Sequence, residues 1–490
     1  MMKVLMVNAR NDTTISHSRK GMYVPLGILS VATYVEAELS GRIHIDVVDE
    51  DVEDLEVERL GDYDVVGFYS TSFNYGQSIT YAKTAKANGA ATVLAGPHPT
   101  SLPENIIRNQ ACVDFVVVGE GEVPFLQVLK MLLSTNGVTV ESIPQLTYRL
   151  NDGTVVRSPA SHQNDLNALP IPSRHYVPME RYIENYQRIY PEHGHLRHGS
   201  ILTSKGCHWR DKTDGGCVFC ARHDNGLRFR SITQLWEEIR MLKAEYGVNY
   251  IWDAADDSLN DTAWFMEFVD QRPKDLEDIG FFIYSRVTPI RPDIIEYFKR
   301  LNVDEVYLGV ESGDTGVLKS AVKGQSLKSI RRALRLIGEG GMRYFPSFVL
   351  GLPGESIASL EATYRLCEEI IDQGALDRAS ATILMPVPGS PAFAKLLERL
   401  PGEGVPLHRA DEFDLPALER YWADNFTNVD HQTLIAYKQR IDDLMAGTAA
   451  GGGGGIGGED EPQAAAGRGS GNVKALSFAN NSLREDNKNL

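Results

Sequence analysis

Three cysteines within fourteen residues, Cys207, Cys217 and Cys220, are the densest group of reactive side chains in the 490-residue chain. Their spacing, C-x9-C-x2-C, puts three thiols on one loop. Thiolates are the ligands that iron–sulfur clusters and structural zinc share. Three of them would hold three corners of a cubane cluster and leave one iron open to a small ligand, since four cysteines are the usual set. With His208 or His223 as fourth ligand, the same triplet would make a closed zinc knuckle. Taken alone, the triplet does not choose between these readings. Cys112 and Cys367 lie in separate apolar segments and read as packing residues. Five cysteines, an odd number with no secretory leader, do not suggest a disulfide framework.

The elements around the loop decide its context. SILTSKG reads as a strand running into the cysteines, and ITQLWEEIRMLKAEYG as an amphipathic helix after them. NYIWDAADD, FFIYSRV, DEVYLGVES, YFPSFVLGLP and ASATILMPVP continue as strands, with SLKSIRRALRLIGEGG as a helix between the third and fourth. Repeated strand–helix steps with polar residues at the strand C-termini predict a full or partial (β/α) barrel. The cysteine loop then stands at the C-terminal end of the first barrel strand, the end where barrels carry their chemistry.

Ahead of this unit, short Val/Ile/Leu-rich strands alternate with helices from MKVLMV to VPFLQVLKMLLS, as in a doubly wound parallel sheet. Ligands of such sheets sit at the carboxyl ends of the strands. Those ends are Ser70–Thr71–Ser72, Gly96–Pro97–His98 and Gly119–Glu120–Gly121, small and hydroxyl residues that let a large flat ligand approach the backbone. The boundaries expected are a Rossmann-like domain over 1–135, a connector over 136–198, a barrel over 199–398, a helical region over 399–446 and a disordered Gly-rich tail over 447–490. In the connector, QLTYRLNDGTVVRS reads as a hairpin turning at Asp152–Gly153.

No run of about 18 apolar residues suggests a membrane span. The opening MMKVLMVNAR reads as a buried strand rather than a secretory signal. A net charge of −17 argues against coating a nucleic acid. The expectation is a cytoplasmic protein handling small molecules.

The stretch TSKGCHWRDKTDGGCVFCARHDNGLRFRS resembles the cluster loop of radical S-adenosylmethionine (SAM) enzymes. VPLGILSVATYV, AGPHPTSLPE, DFVVVGEGE, LPIPSR, DDSLN, VYLGVESG, FVLGLPGES and PVPGSP, in that order, are similar to the cobalamin-binding group of that family. The resemblance spans roughly residues 3–395. Two features depart from it. Six extra residues, within WRDKTDGG, lengthen the usual C-x3-C-x2-C spacing, and no D-x-H-x-x-G motif is present to give cobalt a histidine.

The resemblance implies a 4Fe-4S cluster on Cys207, Cys217 and Cys220, with SAM chelated to the open iron, and cobalamin bound without a histidine ligand. It places SAM against Asp256, Asp257, Ser285, Arg286, Glu311, Gly351 and Leu352. Among these, the aspartates would meet the methionine amino group, Arg286 its carboxylate, Glu311 the ribose, and the backbone of Gly351 and Leu352 the adenine. Cobalamin would lie against Ser70, Thr71, Ser72, Phe73, Gly96, Pro97, His98, Gly119 and Glu120, with His98 as rim and not as cobalt ligand. The activity it implies is methyl transfer from methylcobalamin to an unactivated carbon or phosphorus of a small molecule or peptide. An electron donor such as flavodoxin or ferredoxin would drive it. A non-methylating rearrangement or cyclisation is the second reading, and a zinc-stabilised binding protein the third. Tyr421 and Trp422 are candidate contacts at the barrel mouth or core packing residues.

Overall fold

The computed structural model describes residues 1–449 apart from 12–20, 136, 160–163, 214, 222, 225, 377 and 400–408. The described residues belong to one contact unit, Met1–Gly454. The Gly-rich tail lies outside them.

Seven strands make the first sheet: β1 (Met2–Asn8), β2 (Ile43–Asp49), β3 (Val65–Tyr69), β4 (Ala91–Ala95), β5 (Phe115–Val117), β6 (Leu146–Arg149) and β7 (Val155–Arg157). Their order is β2-β1-β3-β4-β5-β6-β7. The first five pair in parallel, and β6 and β7 run antiparallel. Both faces are covered, as the continuous apolar strands require. The helices Leu26–Glu38 and Glu122–Leu132 bury one face, and Tyr75–Ala87 and Pro103–Asn109 the other. The strand order reverses between β1 and β3, so a ligand crevice is expected above that point. The hairpin assigned to the connector turns where expected, Gly153 at φ +87°, but it docks on β5 and extends the sheet. Its apolar residues Leu146 and Tyr148 find burial there.

A second sheet holds β8 (His198–Ile201), then, past a two-stranded pair β9 (Ser204–Lys205) and β10 (Arg228–Phe229), the strands β11 (Tyr250–Asp253), β12 (Gly280–Arg286), β13 (Val303–Glu311), β14 (Arg343–Leu350) and β15 (Ser380–Ile383). β8 and β11 to β15 follow one another side by side, all parallel. Six strands curl into a half-barrel and do not close it. The helices Ile232–Tyr246, Thr262–Asp270, Pro292–Leu301, Leu327–Glu339 and Ile357–Asp372 pack their apolar stripes on the outer face. The inner face is aromatic: Tyr250, Trp252, Phe282 and Phe345 pack with Tyr186 of the helix Met179–Ile189 and with Met22. His198 joins this group, stacked on Tyr186 and bonded through Nε2 to the Met22 carbonyl at 2.6 Å.

Polar ties join the two halves. Glu120 meets Arg228 (2.5 Å) and Lys205 (3.4 Å). Buried Arg174, from LPIPSR, donates to the Ser200 carbonyl and to Glu238, which also takes Arg230. Near the C-terminus, Asp411 accepts hydrogen bonds from Tyr75, Asn109 and Gln110 on the first domain. No helix among the described residues is long and apolar enough to cross a membrane.

Candidate functional site

The cysteine loop is closed at its neck and tied at both limbs. β9 pairs with β10 on either side of it. Gly206 sits at φ +92°, where a Cβ would fall 2.3 Å from the Gly226 carbonyl, so only glycine lets the limbs cross. Asn260 accepts from the His208 amide and donates to the Gly206 carbonyl, both at 3.1 Å, fixing the backbone around Cys207. Cys207 precedes the short helix His208–Lys212. Cys217 and Cys220 share a turn, the Cys220 amide donating to the Cys217 carbonyl at 3.0 Å. The Val218 amide bonds the Ala321 carbonyl at 3.1 Å, which anchors that turn on the segment after β13.

Trp209, between Cys207 and Cys217, is held by the segments packed against it. Its indole N–H donates to the Val322 carbonyl at 2.6 Å. Its ring covers Gly324, where a Cβ would lie 2.1 Å from it, and the Arg286 guanidinium stacks 4.3 Å from the ring centre. Trp209 therefore docks on Arg286 at the end of β12 and on the segment Val322–Gly324 that precedes the helix Leu327–Glu339.

Burial pushes the Cys217 thiol up, while Lys323 and Arg286 pull it back toward the thiolate. Among the described residues, no three His, Cys, Asp or Glu side chains are arranged around a single metal ion. The thiols of one loop facing cations suit an anionic cubane, whose corners stand further apart than the ligands of one tetrahedral ion. His208 is exposed, and His223 Nε2 donates 2.9 Å across to Ser101 of the first domain.

The residues assigned to SAM stand at the C-terminal ends of successive strands. Burial raises the Asp257 carboxyl to about 6, against the pull of the Leu259 amide, Arg286 and Lys323. Ser285 is buried, its hydroxyl on the Arg286 carbonyl at 2.8 Å. The Arg286 guanidinium donates to the Lys323 carbonyl. Glu311, at φ +68° beside a bulge, pairs with buried Lys323 at 2.6 Å. Gly351 gives its carbonyl to the Trp422 indole at 2.8 Å, and Leu352 is fully buried. Trp422 itself is fully buried and stacked on Phe426, which makes it a packing residue that braces Gly351; Tyr421 stays half-buried. Lys323, Trp209 and Asn260 were not among the sequence-derived residues. Trp209 is on the loop already; only the tertiary fold brings Lys323 and Asn260 to it.

A cavity of about 1140 Å³ opens between the two sheets. From the first domain come Thr71, Ser72, Phe73, Gly96, Pro97, His98, Gly119 and Glu120; from the barrel come Cys220, His223 and Asp256. Ser70 is buried beneath this rim: a Cβ on Gly96, at φ +111°, would sit 2.6 Å from the Ser70 carbonyl. Glycines at 27, 67, 96, 119 and 121 leave the wall open to a flat macrocycle, and Ile28, Val31, Phe68, Val93 and Phe125 make it apolar. His98 is spoken for on both sides. Nε2 donates to the Asp411 carbonyl (2.8 Å), so Nδ1 accepts from the Ser72 hydroxyl (2.9 Å). Its ring stacks on Tyr75, and burial drives its pKa down to about 4.

Residues 13–129 match the B12 binding domain and residues 201–367 the radical SAM superfamily. Taken together, the two matches span more than half of the chain. An uncharacterized methyltransferase of Pyrococcus horikoshii is 28% identical over 406 residues, 80% of this chain and 82% of that protein. The cytidylyl-2-hydroxyethylphosphonate methyltransferase of Streptomyces wedmorensis is 25% identical over 347 residues, 62% of each chain. The fold is that of the radical SAM methyltransferase TsrM from Kitasatospora setae, solved with tryptophan and a SAM analog. The TM-score is 0.64 at 17% identity, covering 81% of this chain and 76% of that one. The chain belongs to the radical SAM enzymes that carry a B12-binding domain, and its cofactors are a 4Fe-4S cluster, SAM and cobalamin.

Proposed function

We propose that this enzyme is a cytoplasmic cobalamin-dependent methyltransferase that places a methyl group on an unactivated carbon or phosphorus of a small molecule or peptide. The observation that carries this is the shared cavity. Cys220 and Asp256 from the cluster side line the same space as the glycine-rich rim of the B12-binding domain. A methyl carrier and a radical source must both reach one substrate, and a single space between them allows it. The methyltransferase names of two relatives support the same direction.

When bound, the cluster supplies the electron that cleaves SAM and cobalamin supplies the methyl carrier. The chain's own residues then hold and orient. Cys207, Cys217 and Cys220 bind three corners of the cluster. Arg286 offers its guanidinium to the methionine carboxylate. Glu311, fixed by Lys323, offers carboxylate oxygens to the ribose hydroxyls. Asp256 and Asp257 stand toward the methionine amino group. His98, occupied on both nitrogens, shapes the rim and keeps its imidazole off the cobalt.

The test needs no substrate. Protein reconstituted anaerobically with iron, sulfide and cobalamin is given methyl-labelled SAM and a reductant. Two products are measured: 5′-deoxyadenosine, and labelled methyl on the cobalamin extracted afterwards. Both are expected. Cys217→Ala should abolish the first and lose the brown cluster absorbance. Deoxyadenosine without label on cobalamin would turn the reading to a non-methylating reaction.

A further inference from the structure

A guanidinium grips a carboxylate through two parallel N–H bonds only while its plane is held in place. Arg286 is held twice over. Its guanidinium donates to the Lys323 carbonyl, and its flat face stacks on the Trp209 ring, 4.3 Å from the ring centre. Trp209 lies in the lengthened interval between Cys207 and Cys217, two residues after the first of them.

The ring is seated on a short bent segment between the helices Thr315–Ser320 and Leu327–Glu339. Val322 at φ +55° and Gly324 at φ +67° bend it on either side of Lys323. A β-branched residue takes that conformation at a cost, so contacts elsewhere must hold it. The Val322 carbonyl accepts the Trp209 indole N–H at 2.6 Å. A Cβ on Gly324 would overlap the ring, so the seat exists only for glycine. Between these two residues Lys323 is buried; its carbonyl takes Arg286 and its ammonium pairs with Glu311 at 2.6 Å. Gln325 ties the far end to the Gly309 and Val310 carbonyls at 3.0 and 2.8 Å. One ring thus bears on two residues assigned to SAM, on Arg286 directly and on Glu311 through Lys323.

We propose that Trp209 is a positioning residue for SAM. Its ring fixes the plane of Arg286 for the methionine carboxylate, and its indole N–H pins the segment that holds Glu311. One guanidinium N–H is spent on the Lys323 carbonyl, and the rest of the fork is left to meet a carboxylate edge-on. Stacking takes up only the face, so it orients the group without competing for its donors. Without the ring, Arg286 turns and the grip on SAM loosens before any chemistry begins. The lengthened cysteine loop therefore serves the SAM site as well as the cluster. This rests on the reading of Arg286 and Glu311 given above.

The probe is a SAM analogue with nitrogen in place of the sulfonium sulfur, which is not cleaved. Its binding to the reconstituted enzyme is read from the EPR spectrum of the dithionite-reduced cluster. W209A should keep the wild-type iron content and bind the analogue about tenfold more weakly; W209F, which keeps an aromatic face, should lose about threefold. The KM for SAM in dithionite-driven deoxyadenosine formation should rise in parallel, with kcat within about twofold of the wild type. G324A displaces the ring without removing it and should repeat the W209A result. R286K should weaken binding by itself, and the loss in W209A/R286K should fall short of the product of the two single losses, because part of the ring's effect passes through Arg286. Wild-type affinity in both W209A and G324A overturns the proposal, as do fully multiplicative losses in the double variant or loss of iron in W209A and G324A alike. A wild-type spectrum that does not respond to the analogue would instead strike the SAM reading.

Discussion

A buried ionisable side chain states which charge the fold tolerates. Glu355, in FVLGLPGES, is fully buried with its carboxyl on the Ser359 hydroxyl at 2.5 Å. Burial raises it from the ordinary 4.5 to about 7. The folded chain therefore holds a proton there that the unfolded chain releases. That contribution is complete below about pH 4.5 and is lost as pH rises through about 7, roughly 3 kcal/mol in all. Glu355→Gln should flatten this decline, so that the variant gains stability over the wild type above pH 7, as read by denaturation across pH. His98 works in the opposite direction. Its folded pKa of about 4 lies below the usual 6.5, so its contribution is present above 6.5 and fades as pH falls toward 4. Because both of its nitrogens are taken, ¹⁵N-labelling the protein's histidines should leave the EPR spectrum of the bound Co(II) cobalamin unchanged. A nitrogen coupling that follows the label would show that His98 or His223 reaches the metal. At this scale the cysteines, the strand-end acids and Arg286 stand out in the sequence as candidates, because their spacing and their place in motifs carry chemistry. Lys323 does not, since a lysine twelve residues past the end of β13 gives no sign that the chain will fold back to Glu311.

Elements place these residues by a few tight backbone crossings. Gly96 ends β4 with a positive φ, and its missing Cβ lets the segment press on Ser70. Gly96→Ala forces a clash and a strained backbone together, and should cost about 2 kcal/mol or more. Weaker cobalamin retention on a desalting column should accompany it, because Gly96 and Pro97 line the cavity. The strands were readable along both units, but the helices Thr262–Asp270, Pro292–Leu301 and Ile357–Asp372 between barrel strands were not assigned from sequence. The hairpin Leu146–Arg157 was read correctly as a hairpin, yet its place beside β5 was not. Pairing partners depend on which strand is left open, and a local sequence does not contain that. PHPT forms the start of the short helix Pro97–Ser101, with proline at its first position where a missing N–H costs nothing.

The described residues form two α/β layers facing one cavity, with polar ties across the junction. Glu120, read from sequence as a cobalamin contact, lines the cavity and also bonds Arg228 and Lys205 across the junction. A glutamate at a strand end looks the same in sequence whether it faces a ligand or another domain. Among the described residues, no strand pairs with the outer side of β15, and the helix His431–Ala449 lies against it. Leu434, Tyr437 and Ile441 fix that helix in the core. This covering does more than stabilise. A chain cut before Asp430 would present bare amides and carbonyls along β15, a template on which the same strand of another copy could hydrogen-bond. Such a truncation should elute as growing oligomers on size exclusion, while a cut after Ala449 should leave the elution as it was. The helix is thus a sheath against self-association, and shortening this enzyme from its C-terminus has a stopping point set by that strand.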